Sequence, residues 1–181
     1  MTTSEIKQAV TTLKDGGIIA YPTEAIYGIG CDPFNEEGVL KVFKMKQRPM
    51  NKGLILIASD FSQLEDLITP TEHMTEVLQT WPGPNTWIFP VTSKVPKWLL
   101  GEFNSIAVRV TDHPLASTLC AEFGGPIVST SANVSSASPA KTWQELSPEL
   151  KPKLDYILKG DVGDLDKCSS IRDARTFTQL R

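Results

Sequence analysis

The sequence predicts an α/β fold in which helices alternate with the strands of a mixed or parallel sheet. Three stretches carry that expectation. Gly53-Leu-Ile-Leu-Ile-Ala58 is an unbroken apolar run of strand length, the pattern of a strand buried on both faces. Ser105-Ile-Ala-Val-Arg-Val110 alternates with a period of two, placing Ile106, Val108 and Val110 on one face and Ser105, Ala107 and Arg109 on the other. Pro126-Ile127-Val128 follows two glycines and discharges into Ser129-Thr130-Ser131-Ala132-Asn133, a loop of hydroxyls and an amide.

The remaining elements follow in order. Thr3 or Ser4 caps a first helix with Ile6, Val10 and Leu13 at helical spacing, and Asp15-Gly16-Gly17 ends it. Ile18–Tyr21 reads as a strand broken by Pro22-Thr23-Glu24. In Ala25-Ile-Tyr27-Gly28-Ile29-Gly30 the two glycines point to close backbone approach or positive φ. Asn35 opens a second helix with Val39, Leu40, Val42 and Phe43 inward, and Pro49 stops it near Gln47. Asp60 caps a helix through Phe61, Leu64 and Leu67, and Thr71 with Glu72 opens another through Met74, Val77 and Leu78. Trp81-Pro-Gly-Pro84 is a shaped loop before Trp87–Val91, an edge strand on account of Pro90. Asp112 caps a helix with Pro114 in its first turn and Leu115, Leu119 and Phe123 inward. Thr142 and Glu145 form a capping box for a further short helix, and Tyr156–Leu158 and Ser169–Asp173 are candidate strands flanking a loop at 160–166.

Composition narrows the function classes. A chain of 181 residues with 40% hydrophobic and 22% charged side chains suits one globular domain, 1–181, and no apolar run approaches membrane-spanning length. Nothing at the N-terminus resembles a signal peptide, so a cytoplasmic location without membrane contact is expected. Cys31, Cys120 and Cys168 are widely spaced and odd in number, which disfavours disulfides and a zinc site alike. A net charge of -3 argues against a uniformly basic nucleic-acid coat. Between Gly38 and Ser59, however, five basic residues (Lys41, Lys44, Lys46, Arg48 and Lys52) stand with no acid. They are either a solvated helix face with its C-terminal lysines or an anion site. Arg109 is equally double-edged. Among small neighbours on a sheet face, it pairs with a buried acid or grips a ligand carboxylate or phosphate. The loop at 129–133 is a turn or a ligand-facing set of uncharged donors and acceptors.

Taken together, Tyr21-Pro-Thr-Glu-Ala-Ile-Tyr-Gly-Ile-Gly30, Lys46-Gln-Arg48-Pro, Lys52-Gly-Leu-Ile-Leu-Ile57, Trp81-Pro-Gly-Pro84, Ala107-Val-Arg109 with Asp112-His-Pro114, Ser129-Thr-Ser-Ala-Asn133 and Ser169–Asp173 resemble the YrdC/TsaC family, in its short bacterial form. These are the L-threonylcarbamoyladenylate synthases that begin threonylcarbamoyladenosine synthesis for tRNA. The resemblance implies a YrdC-like twisted mixed sheet flanked by helices, with a large concave substrate-binding surface. It implies ATP, L-threonine and bicarbonate as substrates, magnesium (Mg2+) arriving with ATP, and pyrophosphate as co-product. It assigns catalysis to Lys46 and Arg48, and ATP binding to these two with Asn51, Ser105, Ser129, Ser131, Asn133 and Arg181. Thr23, Tyr27, Arg109 and Ser169 are assigned to threonine. Partners implied are the threonylcarbamoyl transferase machinery of TsaD, TsaB and TsaE type, with tRNA or other RNA. A module that binds RNA or serves ribosome maturation, without synthase activity, is the competing expectation. The chain departs from the family pattern at Ser136 and Phe177, where glycine is common, at Cys168, often proline, and at Ile57, a histidine in longer members.

Overall fold

The computed structural model of the protein describes residues 3–134, 137–166 and 168–181, so the expectation at Ser136 lies outside the described residues. Helix α1 (Thr3–Lys14) buries Ile6, Ala9, Val10 and Leu13. Strands β1 (Ile19–Pro22) and β2 (Tyr27–Gly30) form an antiparallel pair around the turn at 23–26. Gly28 and Gly30 are there for close approach and not for positive φ. A methyl added at Gly30 would sit 2.5 Å from the Val128 carbonyl and 2.8 Å from the Tyr21 ring. Helix α2 (Glu36–Lys46) begins at Asn35, whose side chain accepts the Gly38 N–H at 2.9 Å, and ends at Gln47 in the left-handed region. That stop two residues before Pro49 is the one the sequence predicts. Leu40, expected inward, is 36% exposed, because the buried stripe runs through Val39, Val42 and Phe43.

Strand β3 (Ile55–Ala58) is followed by a single 3-10 turn at 61–63 capped by Asp60, not by a helix reaching Leu67. Helix α3 (Met74–Leu78) starts at His73, and the Thr71 hydroxyl donates to the Ala174 carbonyl at 3.0 Å. Strand β4 (Asn85–Pro90) is not the edge strand that Pro90 suggested. It lies between β5 (Ser105–Val110) and β8 (Ser170–Asp173), and β8 pairs only with residues 85–88, so Pro90 stands beyond the stretch where β8 would need its missing N–H. Helix α4 (Pro114–Phe123) is capped by His113 and not by Asp112. Strands β6 (Ile127–Ser131) and β7 (Tyr156–Ile157) complete the set. No helix forms at 142–145. The capping pair instead ties a turn, with Glu145 accepting the Lys141 N–H at 2.8 Å, and Pro148 leaves too little chain for a stable helix.

The eight strands form one mixed sheet in the order β7-β1-β2-β6-β3-β5-β4-β8. Registers Tyr21↔Gly28, Gly28↔Ser131, Ile55↔Ser129, Ile57↔Arg109 and Ile88↔Ala107 place those residues on one face. The other face, with Ile29, Leu56, Val108, Val128, Trp87 and Phe89, carries the larger core beneath α2 and α3. On the first face, α1 and α4 cover Ile19, Tyr21, Ile57 and Ile127 and go no further along the strands. Beyond them that face is open. Phe177 keeps a backbone conformation at φ 58 that suits glycine, and its ring packs between His73 and Trp87, with centroids 4.6 and 4.9 Å away. Those ring contacts offset the roughly 1–2 kcal/mol that a left-handed residue costs.

Candidate active site

The open stretch of the first sheet face is the floor of a cavity of about 510 Å³. Period-two alternation decides its surface: Ser105, Ala107 and Arg109 of β5, Ser129 and Ser131 of β6, Ile55 of β3 and Gly28 of β2 all point into it. Small side chains there leave the backbone approachable. The walls are loops: Thr23 and Glu24 on one side, Cys168, Ser169 and Arg181 on another, and Arg48 and Lys52 from the end of α2 onward.

Two guanidinium groups dominate the electrostatics. Arg109 is 6% exposed, and its Nη2 lies 3.1 Å from Oε2 of Glu24, which is 7% exposed. The other Glu24 oxygen accepts the Thr111 hydroxyl at 2.6 Å. Arg48 donates through Nη2 to the Gly53 carbonyl at 2.7 Å. In both arginines the Nε is buried without a hydrogen-bond partner, the pair of such side-chain atoms found among the described residues. Both arginines line the cavity, and a guanidinium there suits an anionic acceptor. Gly53, which holds Arg48, lies two residues before β3, and Ile57 of β3 pairs with Arg109, a separation of four residues or about 13 Å at about 3.3 Å per residue if the chain is extended throughout.

Lys46 works from behind the floor. Its ammonium donates to the carbonyls of Ser131 and Asn133, the latter at 2.6 Å, and to Asn133 Oδ1 at 3.4 Å. The Ser131 hydroxyl bonds Asn133 Oδ1, and Asn133 Nδ2 donates to the Ala137 carbonyl at 2.6 Å. The basic and hydroxyl-rich motifs, 85 residues apart, thus meet in one knot. Burial, and then the neighbouring Arg48 charge, pull the Lys46 amine down to about 8. The basic segment is divided by this geometry: Lys46 points inward, Arg48 into the cavity, and Lys41 pairs with Glu37 at 2.8 Å on the surface. It is not a continuous cationic face.

Of the residues predicted for the site, Thr23, Arg48, Ser105, Arg109, Ser129, Ser131, Asn133, Ser169 and Arg181 line one cavity. Ser169 shares a 3.0 Å hydrogen bond with Thr86, and its carbonyl holds the Arg181 guanidinium through Nε at 3.3 Å and Nη2 at 3.2 Å. Lys46 and Asn51 stand outside the lining. The Asn51 carbonyl takes the Glu102 N–H at 3.1 Å, which fixes the neighbouring turn. Tyr27 also stands outside, because alternation sends it to the opposite face from Gly28. Its hydroxyl donates to the Gly160 carbonyl at 2.6 Å and accepts the Gly160 N–H at 3.0 Å. The 160–165 segment is further held by Gly163 N–H to Thr23 O at 3.0 Å and Leu165 N–H to Glu24 O at 3.2 Å. A side chain at Gly163 would strike the Glu24 carbonyl at 2.6 Å. Tyr27 therefore braces the turn that carries Thr23 and Glu24. Ile57 is fully buried under α1 and α4.

Sequence reasoning missed Glu24. The signal was available, since an acid inside an otherwise apolar strand-turn-strand is the partner that a buried Arg109 requires. The two readings of Arg109, acid pairing and ligand binding, are compatible: one edge of the guanidinium faces Glu24 and Nε remains orphaned.

Comparison with known proteins finds relatives over nearly the whole chain. The threonylcarbamoyl-AMP synthase of Vibrio parahaemolyticus is 49% identical over 97% of this chain and 97% of its own. That of Xanthomonas campestris is 46% identical over 99% and 98%. A crystal structure of P. abyssi Sua5 complexed with L-threonine superposes with a TM-score of 0.87 at 30% identity, covering 93% of this chain and 50% of that longer one. The Sua5/YciO/YrdC family model, described as telomere recombination, matches residues 11–181, and the chain belongs to that family.

Proposed function

We propose that the chain is a threonylcarbamoyl-AMP synthase, joining L-threonine, bicarbonate and ATP with release of pyrophosphate. The observation that carries this reading is the convergence of two arginines, Arg48 and Arg109, with the hydroxyl-bearing residues Thr23, Ser105, Ser129, Ser131 and Ser169 in the lining of one cavity. Arg109, set beside Thr23 and Ser169, receives the threonine carboxylate, and Arg48 with Lys52 receives the triphosphate.

Chemistry follows from placement. The threonine amine, after losing a proton, captures bicarbonate carbon to form a carbamate with loss of water. A carbamate oxygen then attacks the α-phosphorus of ATP, and the bond to the β-phosphate oxygen breaks to release pyrophosphate. No protein nucleophile is required. The chain holds the two reactants in line and spreads the charge that develops on the phosphoryl oxygens. Lys46 contributes by fixing the Ser131–Asn133 carbonyls and by its charge behind them. Magnesium belongs to this scheme as part of the nucleotide. Among the described residues no cluster of His, Cys, Asp and Glu offers it a cage, and Glu24 is committed to Arg109 and Thr111. The product is a mixed anhydride prone to hydrolysis, which favours transient docking to a transferase assembly of the TsaD, TsaB and TsaE type that acts on tRNA. No helix among the described residues is long and apolar enough to cross a membrane.

The test is pyrophosphate release with each substrate omitted in turn. Release that requires threonine, bicarbonate and ATP together supports the assignment. Release from ATP alone, at the same rate with or without threonine, would overturn it.

A further inference from the structure

The segment at 160–165 stands outside the cavity lining, yet it is bonded to the wall that carries Thr23 and Glu24. It has no regular secondary structure, so its position is set by the contacts it makes with the rest of the chain. Two buried side chains anchor it. The Tyr27 hydroxyl holds both backbone groups of Gly160. From the other side comes His113, 6% exposed at the start of α4, with Nε2 at 3.1 Å from the Asp161 carbonyl. A carbonyl can only accept, so Nε2 carries the proton and Nδ1 is left as the acceptor of the Ala116 N–H at 3.4 Å. One imidazole thus caps α4 with one nitrogen and holds the segment with the other.

The segment passes this restraint on. Its Gly163 and Leu165 N–H groups take the carbonyls of Thr23 and Glu24. A side chain at Gly160 would run into Leu115 of α4 and meet Pro22 at 3.3 Å, so the segment is pressed between α4 and the end of β1. Glu24 in turn holds Arg109 with one carboxylate oxygen and takes the Thr111 hydroxyl with the other, and Thr111 Oγ1 accepts the His113 N–H at 3.2 Å. His113 therefore reaches Glu24 by two routes, one through Thr111 and one through the segment. Both end on the carboxylate that orients Arg109. Neither Tyr27 nor His113 lines the cavity, so an effect of either on a ligand there has to travel along these bonds.

We propose that His113 and Tyr27 are positioning residues for threonine, acting through the 160–165 segment on the turn that bears Thr23 and Glu24, and through Glu24 on Arg109. This rests on the reading of Arg109 as the receiver of the threonine carboxylate and goes beyond it by naming what keeps that arginine in place. The Arg48 end of the cavity has no bond to the segment among those described, so the nucleotide is left out of the effect.

The experiment compares wild type, Tyr27→Phe, His113→Asn and the double variant by scanning calorimetry, by titration with threonine and with ATP, and by pyrophosphate release. Asparagine keeps a side-chain acceptor for the first turn of α4 but ends short of the Asp161 carbonyl, and phenylalanine keeps the buried ring without its hydroxyl. Each single variant is expected to weaken threonine roughly 2- to 30-fold, the range for a residue that acts on a site without touching the ligand, while ATP binds as in wild type. KM for threonine should rise and kcat at saturating threonine should hold. Because both residues act on one segment, the double variant should weaken threonine by less than the product of the two single effects. Wild-type threonine affinity in either folded single variant, equal weakening of threonine and ATP, or strictly multiplicative losses overturns the positioning role. Should His113→Asn not fold, Tyr27→Phe decides by the same comparison of threonine with ATP. A wild type that binds no threonine sinks the reading of Arg109 together with the proposal, whereas a wild type that binds threonine beside variants that bind it equally well sinks the positioning role alone.

Discussion

Replacing Arg109 and Glu24, singly and together, separates a binding role from a structural one. In Arg109→Met the Glu24 carboxylate, 7% exposed, keeps one donor, the Thr111 hydroxyl. Breaking a buried pair from one side costs about 3–5 kcal/mol, which at about 2–4 °C per kcal/mol for a chain of this size lowers Tm by roughly 6–20 °C. The double variant Arg109→Met, Glu24→Gln removes both charges, and a neutral pair of similar volume is expected to recover most of that loss. Threonine affinity is not recovered. A carboxylate held by two charge-assisted hydrogen bonds at about 1.5–3 kcal/mol each loses about 3–6 kcal/mol, a weakening of roughly 10²- to 10⁴-fold. ATP, bound at the Arg48 end about 13 Å away, should change by less than about threefold, consistent with near-additivity of distant sites. The assay is scanning calorimetry for stability and titration with each substrate. Wild-type threonine affinity in the double variant, or a matching loss of ATP affinity, refutes the reasoning.

Three further outcomes follow from the same structure. The Lys46 amine sits near 8, so ATP affinity should be level below that pH and fall above it, with proton uptake on binding near pH 8, measurable by titration in two buffers. Because its folded value lies below the unfolded 10.5, the unfolded chain binds more protons between the two. This group's contribution to stability therefore rises with pH across that window and is least favourable below about 8, and affinity and stability should move in opposite directions. Cys31 and Cys120 are buried with their thiols pushed up to about 12, whereas Cys168 is exposed in the cavity wall. One thiol should react with a disulfide reagent in the native protein and all three after denaturation, and bound substrates should slow the first; fast native reaction of a second thiol contradicts the burial. Gly30→Ala should destabilise by about 2–3 kcal/mol through its clash with the Val128 carbonyl and the Tyr21 ring, while Gly125→Ala, with open space around it, should be nearly silent in the same melting assay.

How far the residues alone carried the interpretation depends on the range of the forces involved. The stop of α2 before Pro49, the cap at Asn35 and the two-faced alternation of β5 are written in neighbouring residues and survive folding unchanged, whereas the run predicted to be buried on both faces in β3 is so only from Leu56 onward, Ile55 facing the cavity. Errors arose where a distant partner claimed a local group. Thr71 looked like a helix cap until the Ala174 carbonyl took its hydroxyl, and Pro90 looked like an edge marker until β8 proved to stop short of it. Tyr27 was misplaced for a different reason: its neighbour Gly28 faces the cavity, and a period of two then forbids Tyr27 from doing so.

By itself the sequence determined the type of chemistry, because cations, hydroxyls and small residues recur in segments whose local patterns name their strands and loops, and those segments spell a family. Only the tertiary structure decided which charges are available. Glu24 meets Arg109 and Lys46 meets Ser131 across 85 residues of chain in each case. Whether a guanidinium is spent on a partner or left with an orphaned N–H is set by where β1, β3, β5 and the ends of α1 and α4 come to rest, a packing outcome that no single segment encodes.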